Sequence, residues 1–304
     1  MDFLRNMYAR LTAILVITVS LGLTFLVGCK TETPTREADG RAIDRRDLLL
    51  DDSGDLVSES WEAHFVRGAK VGHRRTRVFQ TAENGEPLRR METFDRLEMK
   101  RFGDVARQEL VCVSLEDAAG QVLQLAYEVT NGNSASRGEG YVDDGVLEFE
   151  HSSGVNVDAQ KVRWTVDNGG LFAIERTLSR QPMLPGETRT VEAFLPLLDR
   201  VVQFELIASQ PEDVEVDGET RHLLRVVSTD KLAQDWKIPT IYWVNDVGEI
   251  LKMHEGFLDR VTVRTTEQTA TRPNDLGKLD LGLDVGVPLK QSFAEPHQST
   301  HAVY

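Results

Sequence analysis

From residue 57 onward apolar side chains recur at every second position rather than every third or fourth, which is the period of a half-buried strand. Val57, Trp61, Ala63 and Phe65 alternate with Ser58, Ser60, Glu62 and His64. Met91, Thr93, Leu97 and Met99 fall on one side of 88–101, and Val111, Val113 and Leu115 on one side of 105–116. Leu123, Leu125, Tyr127 and Val129 do the same over 122–130. These rows are expected to be the buried faces of their strands, Trp61 included. Between them lie turn signals: Gly68 to Gly72, Asn84-Gly85, Gly103-Asp104, Ala119-Gly120, Asp144-Gly145 and Asp217-Gly218. Further strands are predicted at 71–81, 136–142, 146–151, 155–166, 188–194, 200–208, 214–216, 219–228, 240–244, 249–257 and 261–268.

The period changes once. Leu171, Ile174 and Leu178 are spaced for one side of a short helix after Gly169-Gly170, and Pro182 and Pro185 stop it. A dozen strands and one short helix predict a mostly β chain, a large antiparallel curved sheet forming an open barrel or a sandwich. No tandem repeat is present, which argues against a propeller or solenoid. The expected layout is a signal peptide at 1–28, a flexible tether at 29–56, the β domain at 57–270 and an extended C-terminal tail at 271–304. Such a tether has an r.m.s. reach of roughly 25–30 Å.

The N-terminal segment reads as an address label. Arg5 and Arg10 precede an apolar run from Leu11 to Val27 diluted by Thr12, Thr18, Ser20 and Thr24. The run is at the short end of the about 17–25 residues that span a bilayer, which disfavours a plain transmembrane anchor. It ends Leu26-Val27-Gly28-Cys29, which resembles the lipobox of bacterial lipoproteins. That resemblance implies cleavage between Gly28 and Cys29, a diacylglycerol on the Cys29 sulfur, and a membrane-anchored protein facing the extracytoplasmic side of the cell envelope. Lys30 stands where an Asp would signal inner-membrane retention, and the choice of membrane stays open.

Composition narrows the classes. The 304 residues carry 35 Lys and Arg against 49 Asp and Glu, a net charge of −14, and the surplus of acid argues against nucleic-acid binding. With Cys29 lipidated, Cys112 is the one remaining cysteine, so neither an intramolecular disulfide nor a Cys-rich zinc site is expected.

Candidate chemistry is sparse. Cys112, His151 and Asp167 follow the order of a thiol-enzyme triad, but Cys112 lies mid-strand in Leu110-Val111-Cys112-Val113 with no helix start to lower its pKa. His254-Glu255 lacks a second His four residues on, and His297 and His301 sit in a Pro-flanked tail. Glu212, Asp213, Glu215, Asp217 and Glu219 read as a solvated strand face rather than a calcium loop. Arg74, Arg75, Arg77, Arg89 and Arg90 fall on two strands that a hairpin makes neighbours, a local basic patch open to lipid headgroups or an anionic partner but expected, in preference, to be an exposed face paired with Glu92 and Asp95. No metal site, cofactor motif or catalytic residue is assigned.

Three stretches carry a wider resemblance: the run from Trp61 to Gly72, Tyr242-Trp243-Val-Asn-Asp-Val-Gly-Glu249, and Val287-Pro-Leu-Lys with the closing Pro296 to Tyr304. They resemble the β-rich N-terminal region of bacterial envelope proteins that carry a transglutaminase-like domain further on. In that family the catalytic Cys, His and Asp belong to the later domain, so no residue here inherits those roles. The strand-rich layout also looks like the half-barrels of lipoprotein carriers. The expectation is a non-enzymatic, lipid-anchored envelope protein with a binding or scaffold role, engaging a protein partner or an amphiphile. The alternative is a binding module, or a truncated product, of a transglutaminase-like system.

Overall fold

The computed structural model describes residues 47–51, 53–230, 239–256 and 258–281. Gly28, Cys29, His297, His301 and the resemblance carried by 287–304 lie outside them. Two antiparallel meanders make up one sheet. The first runs through β1 (Asp55–Val66), β2 (Ala69–Glu83), β3 (Glu86–Arg101), β4 (Asp104–Asp117), β5 (Val122–Asn131), β6 (Ser134–Asp143), β7 (Val146–Ser153) and β8 (Asn156–Arg163). The second runs through β9 (Thr188–Leu195), β10 (Arg200–Val216), β11 (Glu219–Asp230), β12 (Thr240–Val244), β13 (Ile250–Glu255) and β14 (Arg260–Thr265). They meet where β1 pairs with β14, giving the order β8-β7-β6-β5-β4-β3-β2-β1-β14-β13-β12-β11-β10-β9 in a 14-stranded sheet. The predicted strands 200–208 and 214–216 are one strand, β10, with a bulge between Ala208 and Pro211 that lets the proline sit in the ladder.

Local chemistry sets the hairpins. Asn84-Gly85 and Asp217-Gly218 are two-residue turns with both residues at positive φ, which Asn, Asp and Gly reach cheaply and which match the twist of the flanking strands. The Asn84-Gly85 turn fixes the register that puts Arg74 opposite Asp95.

The sheet curls until its far edges approach without forming a ladder. The Phe149 ring on β7 packs on Phe194 of β9 at 4.9 Å. Gln160 of β8 donates to the Asp199 carbonyl at 2.5 Å, and the linker backbone bonds β9 through Gly169 N–H to Glu192 O at 2.9 Å. Inside the curl lies the predicted helix, α1 (Ala173–Arg180), entered by a 3-10 turn at Gly170–Phe172. Its Ala173, Ile174 and Leu178 pack on Val191, Leu206, Val226, Tyr242 and Met253 of the second meander. Phe172 packs on Met91, Cys112, Leu125 and Tyr127 of the first. Ile174, Leu178 and Phe172 each contribute about 1.5–3 kcal/mol by leaving water. The helix segment thus ties the two halves together from within.

Flanking segments cover apolar patches on both faces of the sheet. Val113, Leu115, Leu88 and Ala126 form an outward cluster under Leu48, which is fully buried. Residues 47–51, expected in the tether, make a turn held by Asp47 to Arg137 at 2.7 Å. The tail expected to be loose from 271 is packed as far as 281. Leu279 is buried against Val66, Ala69, Val71 and Leu97, and the Asp280 carboxylate accepts from the backbone N–H groups of Phe102 and Gly103 at 2.8 and 2.7 Å. Before it, α2 (Glu267–Ala270) is capped by Thr266.

The Trp61 expectation is corrected. Trp61 shares the outer face with Ala63 and stays half-exposed, with Arg75 over its ring at 5.7 Å. The lumen-facing row of β1 is Glu62, His64 and Val66, because the interior opposite β1 is polar.

Candidate functional site: a charged lumen beside the helix

Register alone assembles a band of charge across the lumen. Arg74 on β2 lies opposite Asp95 on β3 and Glu62 on β1; Glu62 and His64 lie opposite Arg264 and Thr262 on β14; Arg260 lies opposite Glu255 on β13. Arg74 donates from Nε and Nη2 to Asp95 Oδ2 at 2.9 and 2.8 Å. His64 Nε2 is 3.3 Å from Asp95 Oδ1, and its Nδ1 is 2.9 Å from Thr262 Oγ1. Arg264 Nε is 3.2 Å from Glu62 Oε1, and Arg260 is paired with Glu255.

Burial would raise the Asp95 carboxyl, but the His64 and Arg74 charges beside it outweigh this and hold Asp95 well below the usual carboxylate range. Burial drives His64 below the ordinary imidazole value, with Asp95 opposing. Asp95 is therefore ionised at neutral pH, with Arg74 as its counter-charge.

Beside this band a cavity of about 170 Å³ separates the sheet from α1. Met91, Phe172, Ile250 and Met253 form its apolar wall, and Glu62, Arg74, Glu175 and Arg264 its polar one. Glu175 projects from the first turn of α1. Its side chain lines the open side of the cavity and is exposed there, with protein on the remaining sides. The surrounding protein, by partial desolvation, pushes its carboxyl above the normal range, offset in part by its own backbone N–H and by Arg74. Glu62 Oε2 is buried with no hydrogen-bond partner.

A second cavity, about 480 Å³, lies on the adjoining face of α1 against β9, β10, the β4–β5 turn and the linker. Arg176 lines both cavities and bonds Glu116 at 2.5 Å.

The sequence candidates fall as follows. Cys112 is buried on the lumen side of β4, and burial pushes its thiol up to about 12. His151 lies three strands away on β7, about 14 Å at ordinary strand spacing. It bonds Tyr127 Oη at 2.8 Å and Asp199 at 3.1 Å instead of the thiol. Asp167 lines the second cavity. The structure does not assemble a Cys112-His151-Asp167 triad. His254 pairs with the exposed Asp259, and His222 with Asp213 of the acidic stretch. Among the described residues no group of three His, Cys, Asp or Glu is arranged to hold a metal. The arginine cluster divides between faces. Arg74 and Arg89 turn inward, whereas Arg75, Arg77 and Arg90 turn outward onto Glu92 at 3.7, 3.6 and 2.9 Å.

Sequence reasoning missed Glu62, His64, Glu175 and Arg264 as site residues. His64 and Glu62 sit in the polar row of a strand whose apolar row, by alternation alone, reads as the buried one. Their β14 partners are some 200 residues away in the chain, beyond any local pattern.

No protein-family model matches the chain, and no curated protein matches it. Among solved structures it is similar to a β-barrel-like protein of the domain of unknown function DUF1849 from Brucella abortus. The two are 12% identical with a TM-score of 0.46 over 68% of this chain and 94% of that one. A DUF1089 family protein from Pseudomonas aeruginosa is 13% identical with a TM-score of 0.32, over 71% of this chain and 98% of that one.

Proposed function

We propose that this chain is a lipid-anchored envelope protein that binds, without transforming it, a small amphiphile carrying a hydrogen-bond-donating, cationic head. The observation that carries the reading is the buried Glu62 Oε2 without a partner in the wall of a half-apolar cavity. A buried carboxylate oxygen left unpaired costs free energy that a donor from a ligand recovers. An ammonium group placed there would meet Glu62 and Glu175, because the lining cations Arg74, Arg176 and Arg264 are already held by Asp95, Glu116 and Glu62 Oε1, while its alkyl body rests on Met91, Phe172 and Met253. A cavity of 150 Å³ holds a benzene-sized guest, so one of about 170 Å³ suits a short chain rather than a full acyl tail. Carriage of long acyl chains is therefore disfavoured.

Calorimetric titration of the full chain tests this with hexylamine and hexanoate as probes. Hexylamine should bind saturably and more tightly than hexanoate, and Glu62→Gln should erase the preference. Equal affinity for both probes, or no saturable binding of the amine, would overturn the reading.

The anchor is proposed on Leu26-Val27-Gly28-Cys29. Two or more acyl chains at about 0.8 kcal/mol per methylene hold a protein stably on a membrane. Intact-mass measurement of the membrane fraction should find a mature N-terminus at an acylated Cys29. An unmodified Cys29 in the native host would contradict it.

A further inference from the structure

The second cavity has a feature that the proposed amphiphile does not use. Arg176 and Arg180, one turn apart on α1, converge on the β4–β5 turn. The Nη2 atoms of both come within 1.9 Å of the point a Cβ on Gly120 would occupy. Two guanidinium groups therefore lie side by side, and Gly120, at φ +79°, is the residue that leaves room for them. Arg180 Nη2 donates to the Ala119 carbonyl at 2.7 Å, a neutral partner. The carboxylate bonded to the pair is Glu116, through Arg176. Arg176 is 6% exposed, and its Nε is buried with no hydrogen-bond partner.

Like charges do not converge without compensation. Burial lowers the proton affinity of Arg176, Glu116 opposes this, and the charges of Arg180 and Arg89 push the same way as burial. A guanidinium stays protonated under all ordinary conditions, so the repulsion cannot be relieved by losing a proton. Glu116 answers one of the two charges, and a second anion would answer the other. Planar forked donors in parallel are the arrangement that phosphate and carboxylate oxygens match.

We propose that the cavity between α1, the β4–β5 turn and β9 is a binding site for a small oxyanion, a phosphate monoester or diester group held by Arg176 and Arg180. At about 480 Å³ the space takes the ester's remainder as well. Asp167 and Glu192 line the cavity too, and neither is ion-paired to the two arginines. They favour a remainder that carries hydroxyl or ammonium donors. Phosphoethanolamine has that chemistry, either free or as a lipid headgroup.

Binding is read by calorimetry and by phosphorus NMR line width on the full chain at low ionic strength. The probes are inorganic phosphate, O-phosphoethanolamine, and vesicles of phosphatidylethanolamine with phosphatidylcholine. O-phosphoethanolamine should bind saturably at one site and more tightly than inorganic phosphate. Arg180→Gln should weaken it at least tenfold while leaving the circular dichroism spectrum unchanged. Arg176→Gln strands the buried Glu116 and so disturbs folding as well as binding; Arg180, which is exposed, is therefore the primary variant. Asp167→Asn should remove the advantage of the amine over phosphate alone. Binding of vesicles that depends on Arg180, without binding of the soluble ester, assigns the site to a lipid headgroup; the reverse assigns it to a soluble phosphate. No saturable binding of any probe, or binding indifferent to Arg180→Gln, overturns the proposal. Hexylamine titration of the same variant keeps the two cavities distinguishable, because Arg180 lies outside the first.

Discussion

Asp95 is the residue on which the luminal charge depends. It holds Arg74 by two contacts and His64 by one, and it is 6% exposed. Asp95→Asn removes the anion and leaves the half-buried Arg74 guanidinium without its principal counter-charge, a change that costs about 1.5–3 kcal/mol. Urea unfolding at pH 7 should show a loss of that size. The pH dependence has a definite sign. The folded carboxyl holds its proton less tightly than the unfolded one, so the unfolded state binds more protons in acid. Asp95's contribution is complete above the unfolded value of about 3.9 and is lost as pH falls below it toward the folded value. The gap between wild type and Asp95→Asn should therefore be constant from pH 8 to 5 and shrink below about pH 4. A gap that closed between pH 7 and 6 would place the stabilising proton on another group. This pair was legible in the sequence, since Asn84-Gly85 announces a two-residue hairpin and counting outward from it sets Arg74 against Asp95. The Glu62–Arg264 and His64–Thr262 contacts were not, because they depend on β1 meeting β14.

At the scale of elements, alternation located the strands but did not say which face is inside. Val111, Val113 and Leu115 form a true apolar row, yet it faces outward and is covered by the segment around Leu48. The inward row of β4 includes Cys112, Ser114 and Glu116, which no hydrophobicity pattern marks as interior. A strand with a covered outer face and a polar lumen reads backwards. The β5 row is divided in the same way. Its bulge near Leu123 turns that residue toward the Leu48 cluster, while Leu125, Tyr127 and Val129 point into the lumen. The helix was legible from Leu171, Ile174 and Leu178, because both its spacing and its prolines are local signals. The Leu48 cover gives a test. Leu48→Ala should cost about 2–5 kcal/mol in thermal or chemical unfolding, as a buried leucine truncation does. Leu50→Ala, at 80% exposure, should fall within ±0.5 kcal/mol of wild type. Equal effects of the two would mean that the segment does not dock on β3–β5.

The whole molecule is two meanders that meet along a single pair of strands. β1 and β14 lie at opposite ends of the sheet's sequence, and the Glu62 and His64 contacts of the lumen follow from their meeting. Without it Glu62 loses Arg264, His64 loses Thr262, and the wall of the first cavity opens. Antiparallel partners directly opposite have Cβ atoms about 4.5–5.5 Å apart, against about 7–8 Å for diagonal neighbours on the same face. Phe65 lies opposite Val261, and both are half-buried on the outer face, clear of the luminal charges. The decisive measurement is disulfide formation in the double variant Phe65→Cys with Val261→Cys, read by peptide mass mapping after mild oxidation. The cross-link should form in high yield, and the diagonal control Phe65→Cys with Val263→Cys should form little. No cross-link between positions 65 and 261, or equal yields in the two variants, would contradict the β1–β14 register and the charged lumen built on it.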